Sequence, residues 1–405
     1  MTDESLAPRP GEVEVDRARG ALLGQAVGDA LGTTYEFARI DQPTYPLLAT
    51  APATDVVGDG PFRLAPGAIT DDTQLAVCLA RSLVEKGGFD AGDVAERYVA
   101  WQDEAFDIGS QTRSSLQSIE KTGSTAGGMI AWRASAHQGA GNGSLMRTTP
   151  IAIAIGRDIS DSPSLSLAMA SRIANVIDIS VADSMLTHAD PRCMLACAAH
   201  NVAIVTVLAS QEVDPIARGR AMVAAARDGV NEGARRLTAL WTAGVSTSAD
   251  DEVTLEGIDV EVGDVSDEEL ALVEKARVEL LHDLDKALAD NPEVYGEEHE
   301  DMHLYQRAGF VRLAFRLAFW HAAHTPTWKA ALVDVASRGG DADTLLVVGH
   351  NPGIEELVAS LARHPEACPT ATIAAFRLGI DGWEEAMLDM EAEELGIWRP
   401  KELEP

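Results

Sequence analysis

Apolar residues recur at helical spacing along most of this chain, with polar positions between them. Before residue 345 no stretch shows the strict alternation of a strand, and no repeat of fixed period is present. The predicted helices cover residues 17–31, 70–84, 93–104, 111–121, 164–188, 192–208, 215–227, 231–240, 267–289, 308–323 and 327–337. Residues 41–66, rich in proline, and 123–143, rich in Gly, Ser and Ala, predict loops. The pattern therefore predicts an all-α protein.

The first predicted helix carries glycine at every fourth position. These glycines are Gly20, Gly24, Gly28 and Gly32. A stripe of this kind permits close packing of a neighbouring element, which must offset the low helix propensity of glycine. Asp29 interrupts the same apolar run and needs a partner, and Glu36 follows it. Two alternatives stand: Asp29 caps or ion-pairs with a neighbouring element, or Asp29 and Glu36 lie close to bound metals.

Two clusters of oxygen-bearing side chains lie far apart in the chain. The first comprises Thr70, Asp71 and Asp72; the second, after Gly339-Gly340, comprises Asp341, Asp343 and Thr344. Hard divalent cations such as Mg²⁺ and Mn²⁺ prefer such ligands, so the two clusters together would form an all-oxygen site for two metals. Each cluster alone also has an ordinary structural interpretation. Thr-Asp-Asp before an apolar run is a common helix start, and Gly-Gly-Asp is a common turn.

Two further segments offer groups that could contact a ligand. Gly141-Asn142-Gly143-Ser144 precedes Arg147, and such a segment opening a helix would present backbone N–H groups to an anion. A capped helix after a flexible loop explains the same residues. His188 lies before Asp190-Pro191, where a helix begins, and a lone histidine at such a position is usually structural.

Composition narrows the classes of partner. The chain has 405 residues, 46% of them hydrophobic, which suits one large domain or two smaller ones. Its net charge of −32 argues against binding to a nucleic-acid backbone, which needs basic patches. No uninterrupted apolar segment has the length of a membrane span, and the acidic N-terminus does not resemble a signal peptide, so we expect a cytoplasmic protein that does not bind a membrane. The four cysteines form no disulfide framework.

Five motifs together resemble the ADP-ribosylglycohydrolase family, the relatives of dinitrogenase-reductase-activating glycohydrolase. They are Gly-Ala-Leu-Leu-Gly-Gln-Ala-Val-Gly-Asp-Ala-Leu-Gly at 20–32 with Glu36, Thr-Asp-Asp-Thr at 70–73, Gly-Asn-Gly-Ser-Leu-Met-Arg at 141–147, Thr187-His188, and Gly-Gly-Asp-Ala-Asp-Thr at 339–344. All five occur in the family's order, so the resemblance across residues 17–344 is specific.

The resemblance implies an orthogonal helical bundle whose cleft holds two Mg²⁺ or Mn²⁺ ions. By position, the metal ligands would be Thr70, Asp71, Asp72, Asp341, Asp343 and Thr344. The residues that resemble ADP-ribose contacts are Gly141, Asn142, Gly143, Ser144 and His188, with Arg147 one turn further on. The implied reaction is hydrolysis of the bond between ribose and an acceptor, which is an ADP-ribosylated protein side chain or a small ADP-ribosyl compound. Asp72 and Glu36 are the candidates for the base that accepts a proton from water.

The last part of the chain departs from that family. Residues 345–405, with Val-Val-Gly-His-Asn-Pro-Gly at 347–353, resemble the C-terminal part of phosphohistidine phosphatases and predict a short α/β-like segment. No Arg-His-Gly motif, which would carry the phosphorylated histidine, occurs in the chain. The predicted division is therefore a disordered tail at 1–15, a glycohydrolase-like domain at 16–344 and a partial phosphatase-like segment at 345–405.

Two alternatives to a working glycohydrolase remain open from the sequence. The segment after Asp343 replaces the small-residue helix that the family places behind its site, so an ADP-ribose-binding pseudo-enzyme with an impaired metal site is one alternative. A phosphohistidine phosphatase acting through His350 is the other, and the missing Arg-His-Gly argues against it.

Overall fold

The computed structural model describes residues 10–37, 56–156, 165–243, 261–289, 307–341, 373–378 and 392–398. These residues form twelve helices and one two-stranded sheet. The helices are α1 Pro10–Gly32, α2 Asp71–Lys86, α3 Ala91–Trp101, α4 Ser110–Thr122, α5 Gly127–Ala134, α6 Thr149–Gly156, α7 Leu165–Thr187, α8 Pro191–Ala209, α9 Pro215–Ala243, α10 Asp267–Ala287, α11 Val311–His324 and α12 Trp328–Ala336. The all-α class predicted from the hydrophobic pattern is confirmed.

The strands are β1 Ile373–Leu378 and β2 Ala392–Trp398, which pair in antiparallel fashion with Ile373 opposite Trp398. The register shifts between Ala375 and Phe376. The motif at 347–353, with His350, lies outside the described residues, so the phosphatase resemblance stays a prediction.

Helix α8 lies at the centre of the helical part. It packs against α7 and α9, and nearly all of its side chains are buried, from Cys193 and Met194 to Leu208. A helix surrounded by protein is apolar on all sides, because no face meets water. By length and composition alone α8 also qualifies as a membrane span, but 83% of the qualifying window is buried inside the protein. Its apolar character is that of a core helix.

Three boundaries differ from those predicted from the sequence. Helix α1 begins at Pro10, so residues 10–15 of the predicted tail are helical; proline suits the first turn, where its missing N–H costs no bond. Helix α5 occupies part of the predicted loop at 123–143, where its Gly127 and Gly128 allow close packing. Helix α9 continues through residues 228–230, where two shorter helices were predicted, because buried Val230 joins the core.

The glycine stripe of α1 makes room for a side chain of another helix. A Cβ atom at Gly24 would lie 3.3 Å from the indole nitrogen of Trp328, the first residue of α12. At Gly20 a Cβ atom would meet no atom of the described residues within 4 Å. The stripe therefore positions α12, whose C-terminal end leads to Gly339-Gly340-Asp341.

Candidate functional site

The start of α2 is held by Asp29 of α1. The Asp29 carboxylate accepts hydrogen bonds from the Thr70 N–H (3.0 Å), the Thr70 hydroxyl (2.8 Å) and the Thr73 N–H (3.1 Å). Thr70 is the N-cap residue of α2, but its side chain does not cap the helix. The helix start is therefore capped by Asp29, a residue 41 positions before Thr70 in the chain. These bonds fix the backbone from which Asp71 and Asp72 project.

Two carboxylates of the site contain buried oxygens without a partner. Asp72 is 3% exposed and Glu36, in the turns after α1, is 6% exposed. Within the described part of the chain, Asp72 Oδ1 and Glu36 Oε2 have no hydrogen-bond partner. A buried carboxylate oxygen is costly when unpaired, so both atoms need a cation, a proton or a donor from a ligand.

The effect of neighbouring carboxylates on pKa values shows which other acids lie near Asp72 and Glu36. Burial, then the carboxylates of Asp341 and Asp107, raises the pKa of Glu36 to about 9. The pKa of Asp71 is raised well above its ordinary value by burial and next by Asp107. Burial and then Asp29 do the same to the pKa of Asp72. Electrostatic interaction on this scale means that Asp71 and Asp72 of the first sequence cluster and Asp341 of the second lie close together, with Glu36 and Asp107 beside them.

Asp341 is positioned by two separate parts of the chain. The Asn142 amide donates a 2.8 Å hydrogen bond to Asp341 Oδ2. The preceding Gly340 accepts a 2.7 Å bond from the Phe37 N–H, which ties the turn to the end of α1. Gly339 and Gly340 both have positive φ angles, which favour glycine, so the tight turn after α12 requires them.

Residues 141–147 form turns instead of a helix. Asn142 O accepts bonds from the N–H groups of Leu145 and Met146, and α6 begins only at Thr149, beside Pro150. The N–H groups of Gly141 and Asn142 donate to Gln111 Oε1 and Gly309 O. The predicted helix N-terminus at Gly-Asn-Gly-Ser is therefore wrong, because this segment is held by α4 and by the residues before α11.

The other predicted ligand contacts are of two kinds: Gly141 and Gly143 belong to the loop itself, and His188 packs against that loop. Cβ atoms at Gly141 and Gly143 would lie 3.3 and 2.8 Å from the imidazole ring of His188, so the loop rests on that ring. Burial, then Arg147, lowers the pKa of His188 well below its ordinary value, which keeps the ring neutral. Ser144 is buried, and its hydroxyl accepts a hydrogen bond from Ser184.

Arg147 does not project toward a ligand. It is fully buried, with 2.8 Å and 3.0 Å bonds to the Thr187 hydroxyl and Gly143 O, and it lies 4.5 Å from the Tyr98 ring centre. Its nearest carboxylate is Asp183, at 3.4 Å. The structure therefore replaces the predicted contact of Arg147 with an anion by a structural role behind the loop.

The acidic side chains suit a hard cation. The unpartnered oxygens of Asp72 and Glu36, their pKa values raised by burial and then by neighbouring carboxylates, and the all-oxygen chemistry of the cluster all fit Mg²⁺ or Mn²⁺. Among the described residues no three His, Cys, Asp or Glu side chains converge on one complete metal site. The predicted ligands Asp343 and Thr344 lie outside those residues.

Two residues of the site, Asp107 and Gln111, belong to no recognisable sequence motif. Asp107 lies in the connection between α3 and α4, and the other acids, beginning with Asp341, join burial in raising its pKa. Gln111, in the first turn of α4, holds Gly139 and Gly141 by its side-chain amide. A lone Asp or Gln in a loop gives no spacing signal, so only the folded arrangement identifies them.

The described residues form a mainly helical fold with a buried acidic centre between the ends of α1, α2 and α12. The family profile of ADP-ribosylglycohydrolase matches residues 10–348, most of the chain. The chain therefore belongs to the ADP-ribosylglycohydrolase family, as its five motifs predicted.

Similar proteins agree with this assignment. The chain is 42% identical over 151 residues to the ADP-ribosylarginine hydrolase Tri1 of Pseudomonas putida, covering 35% of this chain and 37% of the relative. It is 39% identical over 141 residues to the ADP-ribosyl-[dinitrogen reductase] glycohydrolase of Rhodospirillum rubrum, covering 34% of this chain and 45% of the relative. The chain thus spans less than half the length of these curated relatives.

A solved structure matches over a longer range. It is described as an ADP-ribosylglycohydrolase-related protein complex, and it is similar to this chain with a TM-score of 0.51 at 26% identity. The match covers 83% of this chain and 85% of that one. This likeness supports the predicted bundle type beyond the helix content alone.

Proposed function

We propose that this protein hydrolyses the glycosidic bond between ADP-ribose and an acceptor, in a reaction that depends on Mg²⁺ or Mn²⁺. One observation carries the proposal: Asp72 and Glu36 present buried, unpartnered oxygens within a cluster that also contains Asp341. Such a cluster destabilises the fold unless it serves a bound cation or a reaction. The names of the relatives, which include ADP-ribosylarginine hydrolase, supply the substrate class.

The residues that would hold two ions are those of the two acidic clusters. They are Thr70, Asp71, Asp72, Asp341, Asp343 and Thr344. Bound there, such ions would supply Lewis-acid chemistry, which lowers the pKa of a water molecule and favours binding of an oxygen-rich substrate. The hydrogen bonds that Asp29 accepts from Thr70 and that Asn142 donates to Asp341 orient the chain's own ligands in advance, so less freedom is lost on binding.

The chain's carboxylates would move the proton. Hydrolysis breaks the bond from ribose C1″ to the acceptor and forms a bond from C1″ to water oxygen, so water must lose a proton and the acceptor must gain one. Asp72 and Glu36 are the candidates to accept the proton from water, because each has an oxygen with no internal partner. His188, kept neutral by burial, packs behind the Gly141–Gly143 loop, and that loop would contact the ADP-ribose.

Calorimetry and turnover together test the proposal. We expect Mn²⁺ and then ADP-ribose to bind the wild type, and Asp343→Ala to lose most of the metal affinity. Glu36→Gln should retain metal binding and lose turnover of an ADP-ribosylated arginine peptide by about 100-fold or more, as expected for loss of a general base. Glu96→Gln, on the exposed face of α3, is the matched control and should behave as wild type.

Two results would contradict the proposal. A folded wild type that binds no Mg²⁺ or Mn²⁺ would exclude the metal-dependent reaction. Metal and ADP-ribose binding without release of ADP-ribose from any conjugate would instead identify a binding protein.

A further inference from the structure

The imidazole ring of His188 lies behind a loop that is bonded directly to the acidic centre. The Asn142 amide of that loop donates a 2.8 Å hydrogen bond to Asp341 Oδ2. The glycines on either side of Asn142 both adjoin the ring: a Cβ atom at Gly141 would lie 3.3 Å from His188 Nε2, and one at Gly143 would lie 2.9 Å from the same nitrogen. The ring edge that carries Nε2 is therefore placed beside the site by contacts with the loop.

The glycine at 143 leaves this edge of the ring uncovered. A larger residue there would bring its Cβ atom to 2.8 Å from His188 Cε1. Within the described residues Nε2 makes no hydrogen bond, whereas Nδ1 lies 2.8 Å from the Thr187 hydroxyl. His188 as a whole is only 2% exposed. A polar atom of a buried side chain is costly without a partner, so Nε2 is a group that a bound ligand would satisfy.

The Thr187 hydroxyl decides which ring nitrogen carries the proton. Arg147 Nη2 donates to Thr187 Oγ1 at 2.8 Å, and an arginine side chain can only donate. The hydroxyl has one proton of its own, and in the described part of the chain its other contact is with His188 Nδ1. If Nδ1 carried a proton, the hydroxyl proton of this fully buried residue would lack an acceptor. Thr187 therefore donates to Nδ1, and the neutral ring carries its proton on Nε2.

Arg147 is itself held by groups on α3 and α7. Its Nη2 donates to Asp183 O at 3.2 Å, and its guanidinium carbon lies 4.5 Å from the Tyr98 ring centre. The Tyr98 hydroxyl donates a 2.8 Å bond to Asp183 Oδ1, and all three side chains are fully buried. A guanidinium group fixed near the ring also opposes a second proton: burial, then Arg147, lowers the pKa of His188. The ring is therefore a neutral donor and not an imidazolium ion.

We propose that Thr187 and Arg147 are positioning residues that fix His188 as the Nε2–H tautomer, so that its ring donates a hydrogen bond to an oxygen atom of bound ADP-ribose. The inference rests on the proposed function and adds the protonation state of one ligand contact and the residues that set it. ADP-ribose offers ribose and phosphate oxygens as acceptors, and a neutral N–H group suits both. In this tautomer neither ring nitrogen is free to take a proton from water, so that role stays with the carboxylates.

Nitrogen NMR of the protein with isotope-labelled histidine tests the tautomer directly. At neutral pH and with chelator present, we expect the His188 ring to carry a proton on Nε2 and none on Nδ1. Thr187→Val removes the hydroxyl at nearly constant volume and should give a mixture of the two tautomers, and Thr187→Ser should restore the single form. The His188 signals are those missing in His188→Gln. A wild-type proton on Nδ1, or on both nitrogens, would overturn the inference even if Thr187→Val does not fold.

Calorimetry in the presence of Mg²⁺ connects the tautomer to binding. We expect Thr187→Val to bind ADP-ribose about three- to tenfold more weakly, as loss of one oriented donor predicts, and Thr187→Ser to bind it like the wild type. Thr206→Val is the matched control, since the Thr206 hydroxyl donates to Val202 O within α8, and it should also bind like the wild type. Unchanged affinity in a folded Thr187→Val that has lost the single tautomer would refute the role of the donor.

These two measurements separate the inference from the proposed function. The tautomer is observed without metal, ligand or turnover. A protein that shows the Nε2–H form and the expected loss of ADP-ribose affinity, but hydrolyses no conjugate, supports the inference and contradicts the proposed function alone. A protein that hydrolyses a conjugate while His188 carries its proton on Nδ1 contradicts the inference alone.

Discussion

Asp29 shows how one buried side chain orients the metal-binding segment. It is fully buried within α1, and burial raises the pKa of its carboxyl group although hydrogen bonds from Thr73 and Thr70 oppose that rise. A buried carboxylate is tolerated when donors surround it. These donors are the first N–H groups of α2, so the side chain satisfies the helix end and directs Asp71 and Asp72 together.

Replacing Asp29 should therefore destabilise the fold. We expect Asp29→Ala to lower the free energy of unfolding by about 2 kcal/mol, because buried N–H groups of Thr70 and Thr73 lose their acceptor. Asp29→Asn keeps one acceptor oxygen and should lose less than half as much. Urea unfolding in the presence of a chelator gives both values without a contribution from metal. Equal stability of wild type and Asp29→Ala would show that the cap contributes nothing.

At the scale of elements, glycine decides how closely helices approach. A Cβ atom at Gly219 of α9 would lie 1.6 Å from Ala322 O of α11. A Cβ atom at Gly128 of α5 would lie 2.1 Å from Met185 O of α7. The obstacle in both cases is backbone, which cannot rotate away as a side chain can. These contacts place α7 and α11 around the central helix, next to the loops that hold Asn142 and His188.

Two glycine substitutions should have opposite effects. Gly219→Ala should lower the free energy of unfolding by about 2 kcal/mol or more, because α9 and α11 must move apart. Gly20→Ala should raise it by about 0.5–1 kcal/mol, since a Cβ atom there meets no described atom within 4 Å and alanine favours the helix. Thermal unfolding monitored by circular dichroism compares the two. A stabilising Gly219→Ala would contradict the close packing of these helices.

At the scale of the whole molecule, acidic residues outnumber basic ones, and several of the acidic residues meet in one buried centre. The chain carries 64 acidic and 32 basic residues, and Glu36, Asp71, Asp72 and Asp107 all have raised pKa values. Without metal, the folded state binds protons at these groups that the unfolded state releases. Their contribution to stability is therefore fully present below the ordinary pKa of a carboxyl group and is lost as pH rises toward the folded value, about 9 for Glu36.

Metal should reverse this dependence on pH. We expect Mg²⁺ or Mn²⁺ to raise Tm more at pH 8 than at pH 5, because ions compete with protons for the same oxygens. In metal-free protein, Glu36→Gln should flatten the fall in stability between pH 5 and 9, by about 1.4 kcal/mol per pH unit at most for one proton. Scanning fluorimetry across pH, with and without chelator, measures both effects. A shift in Tm that is equal at the two pH values would show that the ions do not displace these protons.

The sequence by itself determined the helical class, the family and most acids of the site. The 3.6-residue period of apolar positions is a local pattern that one sequence is enough to show. Helices such as α2 and α10 were therefore predicted close to their observed bounds. The motifs at Thr70–Asp72 and at Asp341 could be recognised because their oxygen-bearing side chains lie within a few neighbouring positions of the sequence. The continuous α9 and the short α5 were missed because packing overrode local glycine signals.

Only the tertiary structure decided how these parts act together. The roles of Asp29 as the cap of α2, of Arg147 as an internal support and of Asp107 as a member of the acidic centre depend on partners far away in the chain. The ring contacts that join Phe37, Phe62 and Phe106 likewise follow no sequence pattern. Hydrogen bonds, burial and electrostatic repulsion act through space, so the sequence supplied the chemical groups and the fold decided which of them meet.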